Sequence, residues 1–242
     1  MFLNGYEFLT QIALFKREIM KKLLFLLLLI FISCQTNSNL DLSKMESSGP
    51  IPAPNAEPDN WLLAHIDVET TGLQPGFHEM IDIGLVYTDL EGEILDSLFL
   101  RIQPQHPERL SEGAFNVNAF DPQKWQELGA LTNAAAVNSI ISFHKKTANE
   151  KNVMLIAYNS HFDSAFLDHL FRSANETWRE LYHYFIMDIP SMAWALGYRD
   201  LTGQELMEKF NIKDEPYISH LHTGITGAQK NVRIYRALIQ NK

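Results

Sequence analysis

Ile66-Asp67-Val68-Glu69-Thr70-Thr71-Gly72-Leu73 follows an apolar run that begins at Trp61. The run has the composition of a buried strand. On a strand, residues two apart point to the same side. Asp67 and Glu69 therefore aim two carboxylates at one place, while Val68 turns the other way into packing. Two acids held that close repel each other and lose hydration, which favours their neutral forms unless a cation lies between them. Hard oxygen donors suit Mg²⁺ or Mn²⁺. Thr70-Thr71-Gly72 breaks the strand and lets the backbone come close to a ligand.

Further along the chain, Met80–Thr88 and Ile94–Ile102 read as two more strands, joined by short loops into an antiparallel meander. Short helical pieces are expected over 110–126. A longer helix is expected over 131–146, where Val137, Ile140, Ile141 and Phe143 recur at helical spacing. Val153–Tyr158 is a very apolar fourth strand reached by a helical crossover, so it should run parallel to the first. A helix over 161–173, a short fifth strand over 182–187 and helices over 191–197, 202–210 and 227–240 complete the pattern. The fold class is α/β: a mixed five-stranded sheet, with an antiparallel meander and parallel strands, flanked by helices.

A second cluster, Ala157-Tyr158-Asn159-Ser160-His161-Phe162-Asp163-Ser164-Ala165-Phe166-Leu167, stands where the fourth strand hands over to a helix. If the first and fourth strands are parallel neighbours, their C-terminal ends lie side by side, where open α/β sheets bind ligands. Asp163 would then face Asp67 and Glu69. Asn159 can fix a loop or ligand through its amide, and Phe162 can pack in the core or stack on a base.

The first stretch resembles the first motif of the DnaQ-like 3′→5′ exonucleases of the DEDDh type, and Ala157 to Leu167 resembles the second. The resemblance spans nearly all of Trp61 to Leu238. It implies a ribonuclease-H-like fold and hydrolysis of phosphodiester bonds at the 3′ end of a nucleic acid, with two Mg²⁺ or Mn²⁺ ions as cofactors. It makes Asp67, Glu69 and Asp163 metal-binding residues and His222 the general base. Thr70, Thr71, Gly72 and Leu73 correspond to the segment that contacts the terminal nucleotide, with Asn159 and Phe162 as further substrate-binding residues. The third motif is a histidine with an aspartate five residues later. Here His222 is followed at that spacing by Gly227. His220, Asp214 and Glu215 lie nearby, but none has the spacing of the missing acid.

The N-terminal part has a different character. Met20-Lys21-Lys22 is a short basic start, and Leu23–Ile32 is an apolar run of signal-peptide length, too short to span a bilayer comfortably. Phe31-Ile32-Ser33-Cys34 resembles a bacterial lipobox, with Phe31 in the place of the usual leucine. Cys34 is the chain's one cysteine, which rules out an internal disulfide. Residues 1–34 are thus read as a signal region with Met20 as the natural start and Cys34 as the lipidated residue. Residues 35–60, rich in Ser, Asn and Pro, are a disordered linker, and 61–242 form the exonuclease-like domain. The lipid would hold the chain to a membrane, facing the periplasm or exterior; the alternative is a cytoplasmic protein whose signal is not used.

An apolar fraction of 46% supports a real core. The net charge of −9 argues against a broad basic surface gripping a duplex. It leaves room for a narrow site in which metal ions supply the positive charge. The expected function is a metal-dependent 3′→5′ exonuclease whose partners are single-stranded 3′ ends. The alternative, which Gly227 motivates, is a weakened or inactive relative that binds nucleotides, nucleic-acid ends or a protein partner.

Overall fold

The structure, a computed structural model, describes residues 52–215 and 222–241. The signal region and Cys34 lie outside the described residues, and so does His220. Strands β1 (Trp61–Thr70), β2 (Met80–Thr88) and β3 (Ile94–Arg101) form the meander, and β4 (Asn152–Ala157) and β5 (Ile186–Asp188) extend it. The sheet order is β3-β2-β1-β4-β5. β1 pairs antiparallel with β2 and parallel with β4, and β5 is parallel to β4. The expected mixed five-stranded sheet is present, with β1 at its centre.

Helices α1 (Glu112–Asn118), α2 (Pro122–Glu127) and α3 (Asn133–Ala148) precede β4, and α4 (Ser160–Ser173) follows it. Helices α5 (Ile189–Ala195), α6 (Gln204–Lys209) and α7 (Gly224–Gln240) complete the chain. The two-residue period of β1 divides its side chains between two cores. Leu62, Ala64, Ile66 and Val68 pack with Val137, Ile140 and Phe143 of α3 and with Phe166 and Leu170 of α4. Leu63 on the other face packs with Ile189, Leu206 and, from α7, Ile234 and Leu238. Asp67 and Glu69 continue the Leu63 face, so the same alternation that builds the sheet delivers both acids to the side covered by α7.

Helix α7 approaches the sheet at backbone distance. A Cβ on Gly84 of β2 would stand 2.2 Å from the carbonyl carbon of Gly224, and one on Gly224 would stand 2.5 Å from the carbonyl oxygen of Asp67. Any side chain at either position would push the helix off. Asn231, two turns along, donates its amide to the Ile66 carbonyl at 3.0 Å. Asp82, fully buried on β2, accepts the Gly224 N–H at 2.8 Å and so caps the helix from another strand. Thr223 and Thr226 close a capping box at the same end.

Three elements differ from the sequence expectation. Helix α7 starts at Gly224, so Gly227 lies within its first turns instead of at its start. The fifth strand begins at Ile186, not Tyr182: Tyr182 is buried against the α3–α4 core, where its hydroxyl accepts from Tyr87 at 2.9 Å, so it does not extend along the sheet. At the end of the linker, Pro58–Asn60 forms a short turn, and the indole of Trp61 donates to the Pro52 carbonyl.

Candidate active site

The C-terminal end of β1 supplies Asp67 and Glu69. One strand away, Asn159 takes a left-handed conformation, φ 69°, which turns the chain from β4 directly into α4. Asparagine tolerates this region better than most residues. The turn sets Asp163 in the first turns of α4, buried, where its Oδ1 accepts the Val68 N–H at 3.1 Å. His222 enters just ahead of α7, with Nε2 3.2 Å from Glu69 Oε1. Asp67, Glu69, Phe162, Asp163 and His222 thus line one cavity of about 260 Å³. Phe162 is its aromatic wall and leans on Phe166, ring centroids 4.8 Å apart.

The Thr70–Leu73 segment does not line this cavity. The Thr70 hydroxyl donates to the Gly72 carbonyl, and the fully buried Thr71 hydroxyl accepts the Glu79 N–H, so both side chains brace the end of the strand. Gly72 lies against the His78 ring, and Leu73 is exposed. Asn159 is exposed at the rim and also stands outside the lining.

Four residues that motif spacing does not single out also shape the site. Asn118, at the end of α1, donates to both Glu69 Oε2 (3.3 Å) and the Thr70 carbonyl (3.0 Å). Asp82 faces Glu69 across the β1–β2 pair. Glu215, buried in the loop after α6, and Lys230 of α7 both line the cavity. Glu215 has the wrong spacing along the chain for the missing acid, yet the loop folds it back beside His222. No local pattern announces this. Lys230 does carry a signal, because it lies three residues after Gly227 and hence on the same helix face.

At Gly227 itself there is no room for a side chain while Asp67 keeps its position: a Cβ would stand 2.2 Å from Asp67 Oδ2. The carboxylate of β1 rests against the bare helix backbone. An aspartate restored at 227 would first have to displace Asp67, so the substitution is not a simple addition of a ligand.

Burial and crowding favour the neutral forms of these acids. Burial pushes the Asp67 carboxyl well above the usual range, Asp163, Glu69 and Glu215 add repulsion, and Lys230 pulls back. Asp163 is raised chiefly by burial, with its backbone hydrogen bonds opposing. Glu69 is pushed up to about 8 by burial and then by Asp82, against the Asn118 bond. Asp82 rises to about 7, again by burial. Among the described residues no group of three or more His, Cys, Asp or Glu side chains is gathered tightly enough to hold an ion as it stands. The donor set still fits a hard cation: Asp67, Glu69 and Asp163 face one cavity, and Lys230, the one lysine or arginine lining it among the described residues, is engaged by the fourth carboxylate there, Glu215, at 2.5 Å. A divalent ion would supply the missing charge and draw the acids into their ionised forms.

Comparison with known proteins agrees with this architecture. The chain matches the family model for exonucleases of the RNase T type over residues 65–235. It belongs to that exonuclease family. Among solved structures, Exonuclease I superposes with a TM-score of 0.60 at 17% identity, covering 75% of this chain and 41% of that one. The zinc-bound E. coli ExoI–ssDNA complex gives 0.60 at 16%, covering 75% and 40%. The nuclease domain of 3′hExo, a DEDDh family member bound to rAMP, gives 0.60 at 16%, covering 74% and 92%. At such identities the likeness establishes the ribonuclease-H-like exonuclease fold. The chain spans about two-fifths of the length of Exonuclease I. No curated protein sequence matches it.

The raised acids make stability depend on pH. Between the ordinary carboxylate range and about 8, the folded chain keeps the Glu69 proton that the unfolded chain releases. Stability is therefore lost as pH rises through that window. Metal-free protein in chelator is expected to melt at a lower temperature near pH 8 than near about pH 5, and saturating Mg²⁺ or Mn²⁺ is expected to narrow the gap. A melting temperature that rises over that range, or a gap indifferent to the ion, contradicts the charge assignment.

Proposed function

We propose that the chain is a divalent-metal-dependent 3′→5′ exonuclease acting on single-stranded nucleic acid. The observation that carries this reading is the convergence of Asp67, Glu69, Asp163 and His222, from β1, α4 and the segment before α7, on one cavity. Membership of the exonuclease family supports it. Asp67, Glu69 and Asp163 would hold Mg²⁺ or Mn²⁺, which when bound activates water and neutralises charge on the phosphate. His222 takes a proton from the attacking water through Nε2, the nitrogen beside Glu69. The water oxygen forms a bond to phosphorus, the bond from phosphorus to the 3′ oxygen of the preceding nucleotide breaks with its electron pair going to that oxygen, which takes up a proton from solvent as the new 3′ hydroxyl, and the terminal nucleotide leaves as a 5′-monophosphate.

The cavity, about 260 Å³, lies just below the roughly 300–1,000 Å³ typical of ligand clefts. It suits one terminal nucleotide better than a duplex end. Phe162 offers a ring for a base to stack on. The solved relatives were captured with ssDNA and with rAMP, so both polymers belong in the assay.

Location is a separate proposal. The basic start at Met20, the apolar run Leu23–Ile32 and Cys34 together support a lipid-anchored protein outside the cytoplasm, where a 3′ exonuclease would degrade foreign or released nucleic acid.

Purified chain given 5′-labelled oligonucleotides with Mg²⁺ or Mn²⁺ is expected to shorten them from the 3′ end. Asp67→Ala should cut the rate by at least about 100-fold, beyond the 10–100-fold typical of outer partners of a metal site. No metal-dependent shortening of RNA or DNA rejects the activity and leaves the binding role that Gly227 suggests. For the anchor, palmitate labelling in a bacterial host should disappear in Cys34→Ser; labelling unchanged by that substitution removes the lipoprotein reading.

A further inference from the structure

Glu215 is a buried carboxylate with no role in the reaction outlined above. Its side chain is 5% exposed, and both oxygens are engaged. Oε1 is 2.5 Å from Lys230 Nζ. Oε2 accepts the Thr226 hydroxyl at 2.8 Å and stands 3.3 Å from His222 Nδ1. His222 therefore lies between two carboxylates, with Nδ1 toward Glu215 and Nε2 toward Glu69.

Two roles are open to an acid in this place. It could replace the missing third-motif carboxylate as a metal ligand, or it could set the orientation of the histidine. Ligation would require Glu215 to release Lys230, whose ammonium is itself largely covered and would be left without its closest partner. The contact from the Thr226 hydroxyl to Oε2 would be lost at the same time, leaving that hydroxyl to the Thr223 carbonyl. The existing contacts favour the second role. Of the two carboxylates beside the ring, Glu69 is the one the proposed metal would engage, which leaves Glu215 to accept the Nδ1 proton and frees the Nε2 lone pair.

We propose that Glu215 is a positioning residue for His222, held in place by Lys230 and Thr226, and that it points Nε2 into the cavity as the proton acceptor. The catalytic consequence rests on the exonuclease reading; the ring orientation rests on the geometry alone. The helix that lacks a carboxylate at Gly227 thus supplies a lysine one turn later, and that lysine anchors an acid from the preceding loop. This acid acts on the histidine instead of the metal.

Two readouts test this on the full-length chain. The first is ¹⁵N NMR of histidine-labelled protein, with the His222 ring assigned by His222→Gln. Wild type is expected to carry the proton on Nδ1, and Glu215→Ala to lose that preference. A wild-type ring protonated only on Nε2, or a ring unchanged in Glu215→Ala, overturns the proposal. The second is kinetics on a labelled single-stranded oligonucleotide with Mn²⁺. Glu215→Ala should lower kcat by about 10–100-fold with KM and Mn²⁺ affinity unchanged, and Glu215→Gln, which keeps an acceptor for Nδ1–H, should recover much of the loss. A drop in Mn²⁺ affinity instead identifies Glu215 as a ligand and overturns the proposal. If Glu215→Ala does not fold because Lys230 loses its closest partner, Glu215→Ala/Lys230→Met is read in the same way. Wild type inactive with every metal would reject the exonuclease reading, while the ring measurement would still decide the orientation.

Discussion

The first turns of α7 lie directly on β1 and β2, and the rest of the site depends on that contact. Gly84 and Gly224 meet backbone to backbone, and Gly227 lies against the Asp67 carboxylate. No other residue type permits either approach without moving the helix or the acid. Because the helix sits this low, the residue two before its start, His222, comes within reach of Glu69. The buried Asp82 holds the helix end down through the Gly224 N–H, and Asn231 holds the next stretch through the Ile66 carbonyl.

The same closeness creates an electrostatic problem that defines the site. Asp67, Glu69, Asp82 and Asp163 are brought together in largely buried positions. Asp163 receives a backbone N–H and Glu69 receives the Asn118 amide, but hydrogen bonds from neutral donors offset only part of the desolvation. Lys230 is the fixed lysine at the cavity, and Glu215 takes most of its charge. A cation from solution is the remaining way to ionise the β1 pair. Structural acids are normally paired with arginine or lysine; Asp67, Glu69 and Asp163 face a cavity instead, which sets them apart from a buried ion-pair network.

Much of this could be read from the chain. Asp67-x-Glu69 behind an apolar run identifies a strand with two acids on one face, and the helical crossover to Val153 requires the parallel neighbour that brings Asp163 alongside. Those are consequences of local period and of handedness, so they survive without knowledge of the tertiary fold. The support for the acids was not legible. Asn118 reaches Glu69 from a separate helix, Asp82 lies opposite it through strand register, and Glu215 returns through a loop; each depends on a distance in space that no spacing encodes. Tyr182 shows the same limit in the fold: its β-prone sequence loses to a buried hydrogen bond with Tyr87. Gly227 was visible as a departure from the motif, but its contact with Asp67 was not.

Diffraction from crystals soaked with Mn²⁺ and a nucleoside 5′-monophosphate, recorded at the manganese edge, tests the central assignment most directly. An anomalous peak bonded to carboxylate oxygens of Asp67 and Glu69, with Asp163 beside it and Glu215 still on Lys230, is the expected result. Manganese bound elsewhere, or none at saturating concentration, contradicts the assignment of the β1 acids as the metal-holding pair.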